Sequence, residues 1–238
     1  MRALDPSATL IAAAYERLRH DIVSARWRPG VKLGIEALKT HYQLGPSPLR
    51  EALNRLAAEG WVEHLEQRGF VVAAASAELF SELLQTRIWA EGTALRESIQ
   101  RRDAGWEDHL VLALHHLSRV PRSLSSEHFE ENPQWEPRHR AFHMALLSRC
   151  GSRYLLNFCG QLYDQAYRYR QIAVSAAYGQ RRETDEHRAV AEAAIAGRVD
   201  DAHRLLVAHY ELTARFIRAP ASDPPALTPP QAKGSLSP

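Results

Sequence analysis

Leu10, Ala13, Ala14, Leu18, Ile22 and Val23 recur at helical spacing, which predicts an amphipathic helix over residues 7–25. Trp27-Arg28-Pro29-Gly30 stops it, because proline cannot continue the hydrogen-bond ladder and glycine frees the turn. A second helix is predicted over Ile35–Tyr42. A third starts near Ser47, the expected N-cap, with Pro48 at the first helical position and Glu51 near the positive end of the helix dipole. It runs to Glu59 and ends at Gly60, with Ala52, Leu53 and Leu56 facing inward and Ser47, Arg50, Asn54 and Arg55 nearer the other side. The period then changes. In Gly60–Val72 two short apolar runs flank the polar turn Gln67-Arg68-Gly69, which predicts a β-hairpin.

Helix, tight Gly/Pro turn, helix and hairpin in this order are the layout of a winged helix-turn-helix, whose second helix enters a DNA major groove. Ala73-Ala74-Ala75-Ser76 follows as a short linker, and from Glu78 the pattern is helical almost throughout. Helices are predicted near 77–101, 104–119, 134–149, 152–177, 180–197 and 199–217, with Val120–Pro133 a loop that has room for one helical turn. Ala221–Pro238 holds five prolines and little apolar content, so the last residues, 220–238, are expected to be a disordered tail. The expected fold is mostly α: a winged helix-turn-helix with a small hairpin wing over 1–75, then an all-α bundle of six or seven helices over 76–219.

Composition changes this picture little. No apolar run approaches the ~18 residues of a membrane span, the first ten residues lack a secretion pattern, and the two cysteines, Cys150 and Cys159, form no CxxC pair. A cytoplasmic protein with no membrane association is the simplest expectation. Net charge is a weak witness for nucleic acid, since residues 1–75 carry ten Lys+Arg against eight Asp+Glu and the rest balance. The case for DNA rests on pattern and placement.

Ser47 and Arg50 sit where a recognition helix reaches base edges or phosphates, and an arginine there can hold a guanine by two hydrogen bonds. Arg55 shares that side of the helix, and Gln67, Arg68 and Gly69 of the wing can reach phosphates or the minor groove. Alternatively, Arg50 pairs with a surface carboxylate and the hairpin only packs.

In the helical part, His139 and His143 lie four residues apart and so project from one helical face. Phe142, Leu146 and Leu147 mark that helix as largely buried, where unpaired imidazoles are costly. Joined by His187 and His209, they would suit a divalent ion such as Zn²⁺ or Ni²⁺, although spacing alone cannot bring the four together. His109, His115, His116, His128 and His203 show no such pattern. Arg87 and Glu91 form an i, i+4 pair that is either a helix salt bridge or, with the guanidinium turned inward, a clamp for a carboxylate ligand. Arg170 in Tyr167-Arg168-Tyr169-Arg170 is a second such candidate.

The whole ordered chain resembles the GntR-type bacterial regulators of the FadR subfamily, whose C-terminal effector domain is called FCD. The resemblance rests on Pro29-Gly30-x-x-Leu33, Pro48-Leu49-Arg50-Glu51-Ala52-Leu53, Arg68-Gly69-Phe70-Val71, Phe142-His143, Glu186-His187 and His209. Within that group the chain looks most like the carbon-starvation-induced regulator branch, with which it shares a metal motif lacking the usual Asp. The resemblance implies a homodimer on a palindromic double-stranded operator, a small carboxylate effector, and a divalent metal held by an acidic residue and three histidines. Those histidines fall on His143, His187 and His209, while His139 stands where the family has Asp. The family's pocket arginine falls on Arg87, and an arginine often found in its recognition region is here Pro46. A repressor released by its ligand is the expected function. A regulator that senses the metal itself is the alternative, and a helical metal-dependent enzyme a more distant one. With no HExxH and no carboxylate evidently poised as a general base, the chain is expected not to be an enzyme.

Overall fold

The computed structural model describes residues 6–66, 69–125, 127–177 and 183–218. The N-terminal part consists of α1 (Pro6–Val23), β1 (Lys32–Leu33), α2 (Ile35–Tyr42), α3 (Pro46–Ala58), β2 (Val62–Leu65) and β3 (Gly69–Val72). Ala14, Leu18, Ile22 and Val23 bury the predicted face of α1, joined by Tyr15. Leu10 and Ala13 stay exposed, so the buried stripe begins one turn later than the spacing suggests. Leu49, Ala52, Leu53 and Leu56 line the inner side of α3 and pack against α1.

Two local expectations change. The third helix starts at Pro46, with Gly45 as an extended N-cap and no side-chain cap. Pro46 has no N–H to lose and a φ preset for the first turn, so Ser47 lies inside that turn, exposed. The wing is a three-stranded antiparallel sheet in the order β1-β3-β2, because Lys32 and Leu33 pair with Val71 and Phe70. A strand of two residues is too short to show a period. Gly69, at φ +76°, takes a left-handed conformation that a side chain would strain.

A polar knot closes the reader. Tyr42 on α2 donates to buried Asp21 on α1 at 2.8 Å, and Trp27 Nε1 donates to the Tyr42 hydroxyl at 2.8 Å. Burial of the phenol, with Asp21 beside it, raises its pKa well above 10 and keeps it a donor.

The helical part comprises α4 (Ala77–Gln100), α5 (Ala104–Ser118), α6 (Trp135–Leu147), α7 (Arg153–Ala177), α8 (Glu183–Ile195) and α9 (Val199–Arg218). These six helices agree with the expected bundle. Ser76 and Asp103 cap α4 and α5 by accepting from Leu79 and Trp106 backbone N–H groups. α4 packs against α6, α7 and α9, and its buried Ala94, Leu95 and Ile99 join Phe142, Leu146, Ala194 and Ala202 in one core. Gly92 lets α9 come close: a Cβ there would lie 2.6 Å from His203 Nε2. The described residues between α5 and α6 hold no helical turn. A bridge between Ser123 and Glu131 and an ion pair from Arg122 to Glu183 fix that loop instead. No helix among the described residues is long and apolar enough to cross a membrane. The expected tail, 220–238, lies outside the described residues.

Replacing Tyr42 by Phe removes the donor to Asp21 and the acceptor for Trp27 in one step. The expected cost is about 1–3 kcal/mol, because a buried carboxylate oxygen loses its partner. Urea denaturation followed by tryptophan fluorescence checks it, and an unchanged midpoint would show that the knot contributes nothing.

Candidate metal cage and nucleic-acid interface

The i, i+4 spacing on α6 brings His139 and His143 to one face, α8 supplies His187 and α9 supplies His209. All four are buried, and each offers a ring nitrogen within 4.8 Å of the other three. Nε2 of His139 lies 3.2 Å from Nε2 of His187 and 3.1 Å from Nε2 of His143. Ligands about 2.0–2.1 Å from a shared Zn²⁺ stand roughly 3.3 Å apart in a tetrahedral shell, so these two pairs already stand near that spacing and an ion would need to draw the full set only slightly closer. Among the described residues it is the one such group.

The outward nitrogens are tied down. Tyr163 on α7 donates to Glu136 Oε1 at 2.7 Å, and its oxygen lies 2.5 Å from His139 Nδ1. Tyr210 on α9 donates to Glu91 and lies 3.4 Å from His143 Nδ1. His209 Nδ1 is 2.8 Å from Glu186 Oε2. These partners assign the proton to Nδ1 in all three rings, which turns the Nε2 lone pairs of His139 and His143 inward. Carboxylates thus lie one bond, or one tyrosine, behind the imidazoles. Such outer partners orient ligand rings and raise their basicity.

Burial and the neighbouring histidines hold the pKa of both His139 and His143 well below 6.5, so both are neutral and able to bind metal at neutral pH. Burial and the nearby carboxylates push Tyr163 and Tyr210 well above 10 and keep them donors. Burial also raises Glu136, against the pull of Arg170.

Arg87 and Arg170 line a cavity of about 20 Å³ beside His139, His143 and His209, with Phe80, Leu84 and Trp135 as apolar wall. That is room for about one water. Both guanidiniums are paired, although Arg170 Nε is buried without a hydrogen bond. Arg87 pairs with Glu91 at 2.6 Å over the Tyr210 ring, and Arg170 pairs with Glu136 at 2.7 Å. Burial works against the Arg87 charge, but Glu91 outweighs it and raises the pKa. The salt-bridge reading of Arg87 and Glu91 is therefore realised, with the arginine also at the cavity.

In the N-terminal part, Ser47, Arg50 and Asn54 lie exposed along α3. Arg55 is exposed too, but its guanidinium sits 3.7 Å above the Tyr15 ring and pairs with Glu59 at 3.2 Å. Gly69 opens β3 at the wing turn, whereas Gln67 and Arg68 lie outside the described residues. Sequence reasoning missed Tyr163, Tyr210 and Glu136. Glu136 lies 27 residues from Tyr163, on another helix, so no local pattern marks the pair. Glu186 was visible only as the neighbour of His187.

Without metal, protons should compete for the cage. The unfolded chain binds protons at an ordinary histidine pKa of about 6.5 while the folded cage resists them, so stability is full above that pH and falls below it. Thermal unfolding of chelator-treated protein between pH 7.5 and pH 5 should show a steeper decline than a His139→Gln/His143→Gln double variant. Parallel declines would mean that these rings already carry protons in the fold.

Residues 10–72 match the model for the gntR family of bacterial regulatory proteins, and residues 82–212 match the FCD domain. The chain is 36% identical over 210 residues to the HTH-type transcriptional regulator BphR of Paraburkholderia xenovorans (strain LB400), covering 88% of this chain and 86% of that one. It is 36% identical over 158 residues, 66% of this chain and 71% of the relative, to the HTH-type transcriptional repressor GlaR of Escherichia coli (strain K12). Among solved structures it is similar to E. coli McbR/YncC, with a TM-score of 0.71 at 18% identity over 87% of this chain and 96% of the other.

Proposed function

The chain belongs to the GntR family of bacterial regulatory proteins and carries an FCD domain, and from that premise we propose that a small organic acid at a divalent-metal site controls its grip on DNA. It is a DNA-binding transcriptional regulator and not an enzyme. The observation that supports the finer reading is the convergence of four buried imidazoles, three with Nδ1 anchored, beside two buried arginines. His139, His143, His187 and His209 would hold Zn²⁺ or Ni²⁺, in keeping with an all-imidazole shell. A bound ion would ligate and polarise the acid's carboxylate. Arg87 and Arg170 would orient the acid, while Phe80, Leu84 and Trp135 exclude water around it.

On this reading residues 1–75 read DNA and residues 76–219 bind effector and pair with a second copy in the cytoplasm. Two readers on a palindrome would each place Ser47 and Arg50 in the major groove. Gln67, Arg68 and Gly69 would lie along the backbone, and Arg55 would swing off Tyr15 to a phosphate. Repression fits the E. coli relative GlaR, a transcriptional repressor. The ligand can shift operator affinity only by as much as it prefers one arrangement of the readers. A second reading, direct metal sensing, is favoured by the size of the cavity, which has no room for an acid until a wall moves.

Metal-stripped protein titrated with Zn²⁺ or Ni²⁺ should gain several degrees in unfolding temperature, and His143→Ala should abolish that gain while the DNA-binding part stays folded. Unchanged metal content in the variant would rule out the cage. A thermal-shift screen of mono- and dicarboxylates on the metal-loaded chain separates the two readings, since the effector reading requires a further shift with an acid. On a duplex selected from a random pool, Arg50→Ala should bind about 10- to 100-fold more weakly with relaxed base preference, matching 1–3 kcal/mol for a bidentate contact. A uniform loss across all duplexes would assign Arg50 to the backbone instead.

A further inference from the structure

One helix touches both the imidazole cage and the DNA reader. Tyr163 of α7 reaches His139 Nδ1 at 2.5 Å. The next residue, Asp164, accepts from two arginines of different parts of the chain. Its Oδ1 takes Nε of Arg140 at 2.9 Å, and its Oδ2 takes a terminal nitrogen of Arg19 on α1 at 2.5 Å. Arg140 directly follows the cage residue His139, and its own terminal nitrogen lies 3.5 Å from Oδ2. Gln165 donates to the carbonyl of Glu59, the C-cap of the recognition helix α3, at 3.2 Å. Arg168, buried in the same helix, donates to the carbonyl of Ala73 in the linker. Within six residues α7 thus fastens the first helix, the recognition helix and the linker of the reader, starting from a residue bonded to the cage.

We propose that Asp164 is the joint through which occupancy of the cage sets the position of the DNA reader. The inference rests on the metal reading above and adds to it a route. The physical basis is competition: two guanidiniums share one carboxylate, so the hold on Arg19 depends on where Arg140 stands. Arg140 stands where His139 places it, and an ion that draws the four rings together moves α6 against α7. The side chains of Asp164 and Arg19 are only 18% and 26% exposed, so solvent screens this pair less than an open surface pair. Asp164 is a positioning residue and touches neither ion nor DNA.

The test uses the full chain, stripped of metal or loaded with Zn²⁺, with ion uptake measured by calorimetry and hydrogen exchange followed by mass spectrometry. In the wild type, loading should change exchange across α1 and the end of α3 by about threefold or more, reporting the local stability of the joint. Asp164→Asn, of equal size, should take up the same equivalents of Zn²⁺ while the response of α1 and α3 shrinks to near unity. Arg19→Gln should do likewise, and the double variant should lose no more than either single one, as expected for two ends of one interaction. A reader that still responds in Asp164→Asn, or a wild type that binds Zn²⁺ without any response in α1, overturns the joint and leaves the cage standing. A wild type that takes up no ion removes the cage and the joint with it.

Discussion

Four imidazoles in the middle of a helical bundle are the constraint on which the rest of the helical part depends. A buried polar ring without a partner costs roughly 1–3 kcal/mol by protein measurements, and here four meet with a ring nitrogen of each within 4.8 Å of the others. The surrounding helices respond by placing carboxylates behind the rings rather than among them. Glu186 holds His209 directly, while Glu136 and Glu91 act through Tyr163 and Tyr210. A carboxylate inside the cage would have paired with a protonated ring and filled the space. Set one bond behind, the same groups orient the rings, while burial and the mutual proximity of the imidazoles keep His139 and His143 neutral.

The same carboxylates also neutralise the two arginines. Glu91 serves Arg87 and Tyr210, and Glu136 serves Arg170 and Tyr163. Two charge sets therefore flank the cage, one centred on α4 and one on α6, the second leaving Glu136 Oε2 and Arg170 Nε buried without a hydrogen bond. Removing either member of such a set leaves a buried charge without its partner, which costs several kcal/mol and falls on ring orientation as well as on stability. This explains why Arg170 of the Tyr167-Arg168-Tyr169-Arg170 run on α7 belongs with the site. It also separates Arg168 from Arg170. The two are near neighbours in sequence, but Arg168 points to the linker carbonyl of Ala73, whereas Arg170 pairs with Glu136.

Much of this was legible in the chain because it is local. Helical periodicity gave α2 to the residue and the other helices to within a few residues, and the Gly60–Val72 pattern gave the wing. The pairing of His139 with His143 follows from the pitch of a helix. What was not legible depends on distant partners. The two-residue strand at Lys32 exists only because β3 offers it an edge, and Pro46 displaced Ser47 from the cap because two prolines two residues apart each suit a first turn. Tyr163 carries no motif, and its role comes from the crossing of α6 and α7. The family resemblance placed His187 and His209 beside the first pair, where spacing alone left them open.

The small cavity bears on how a regulator of this build distinguishes signals. Its wall includes Trp135, stacked on His139 at 4.3 Å between ring centroids, and the Arg122 guanidinium lies 5.1 Å over that same indole while pairing with Glu183 at the start of α8. An organic acid would have to part these layers, whereas a bare ion would not. Opening the wall therefore couples acid binding to the loop before α6 and to the N-terminal end of α8, neither of which the ion alone needs to disturb. Differential contact of this sort is what a ligand must have if it is to favour one state over another. On the proposed reading the cage would hold an ion with the wall closed, and an acid would have to supply the energy to open it. Metal and acid can thus act on the same rings and still be read as different messages.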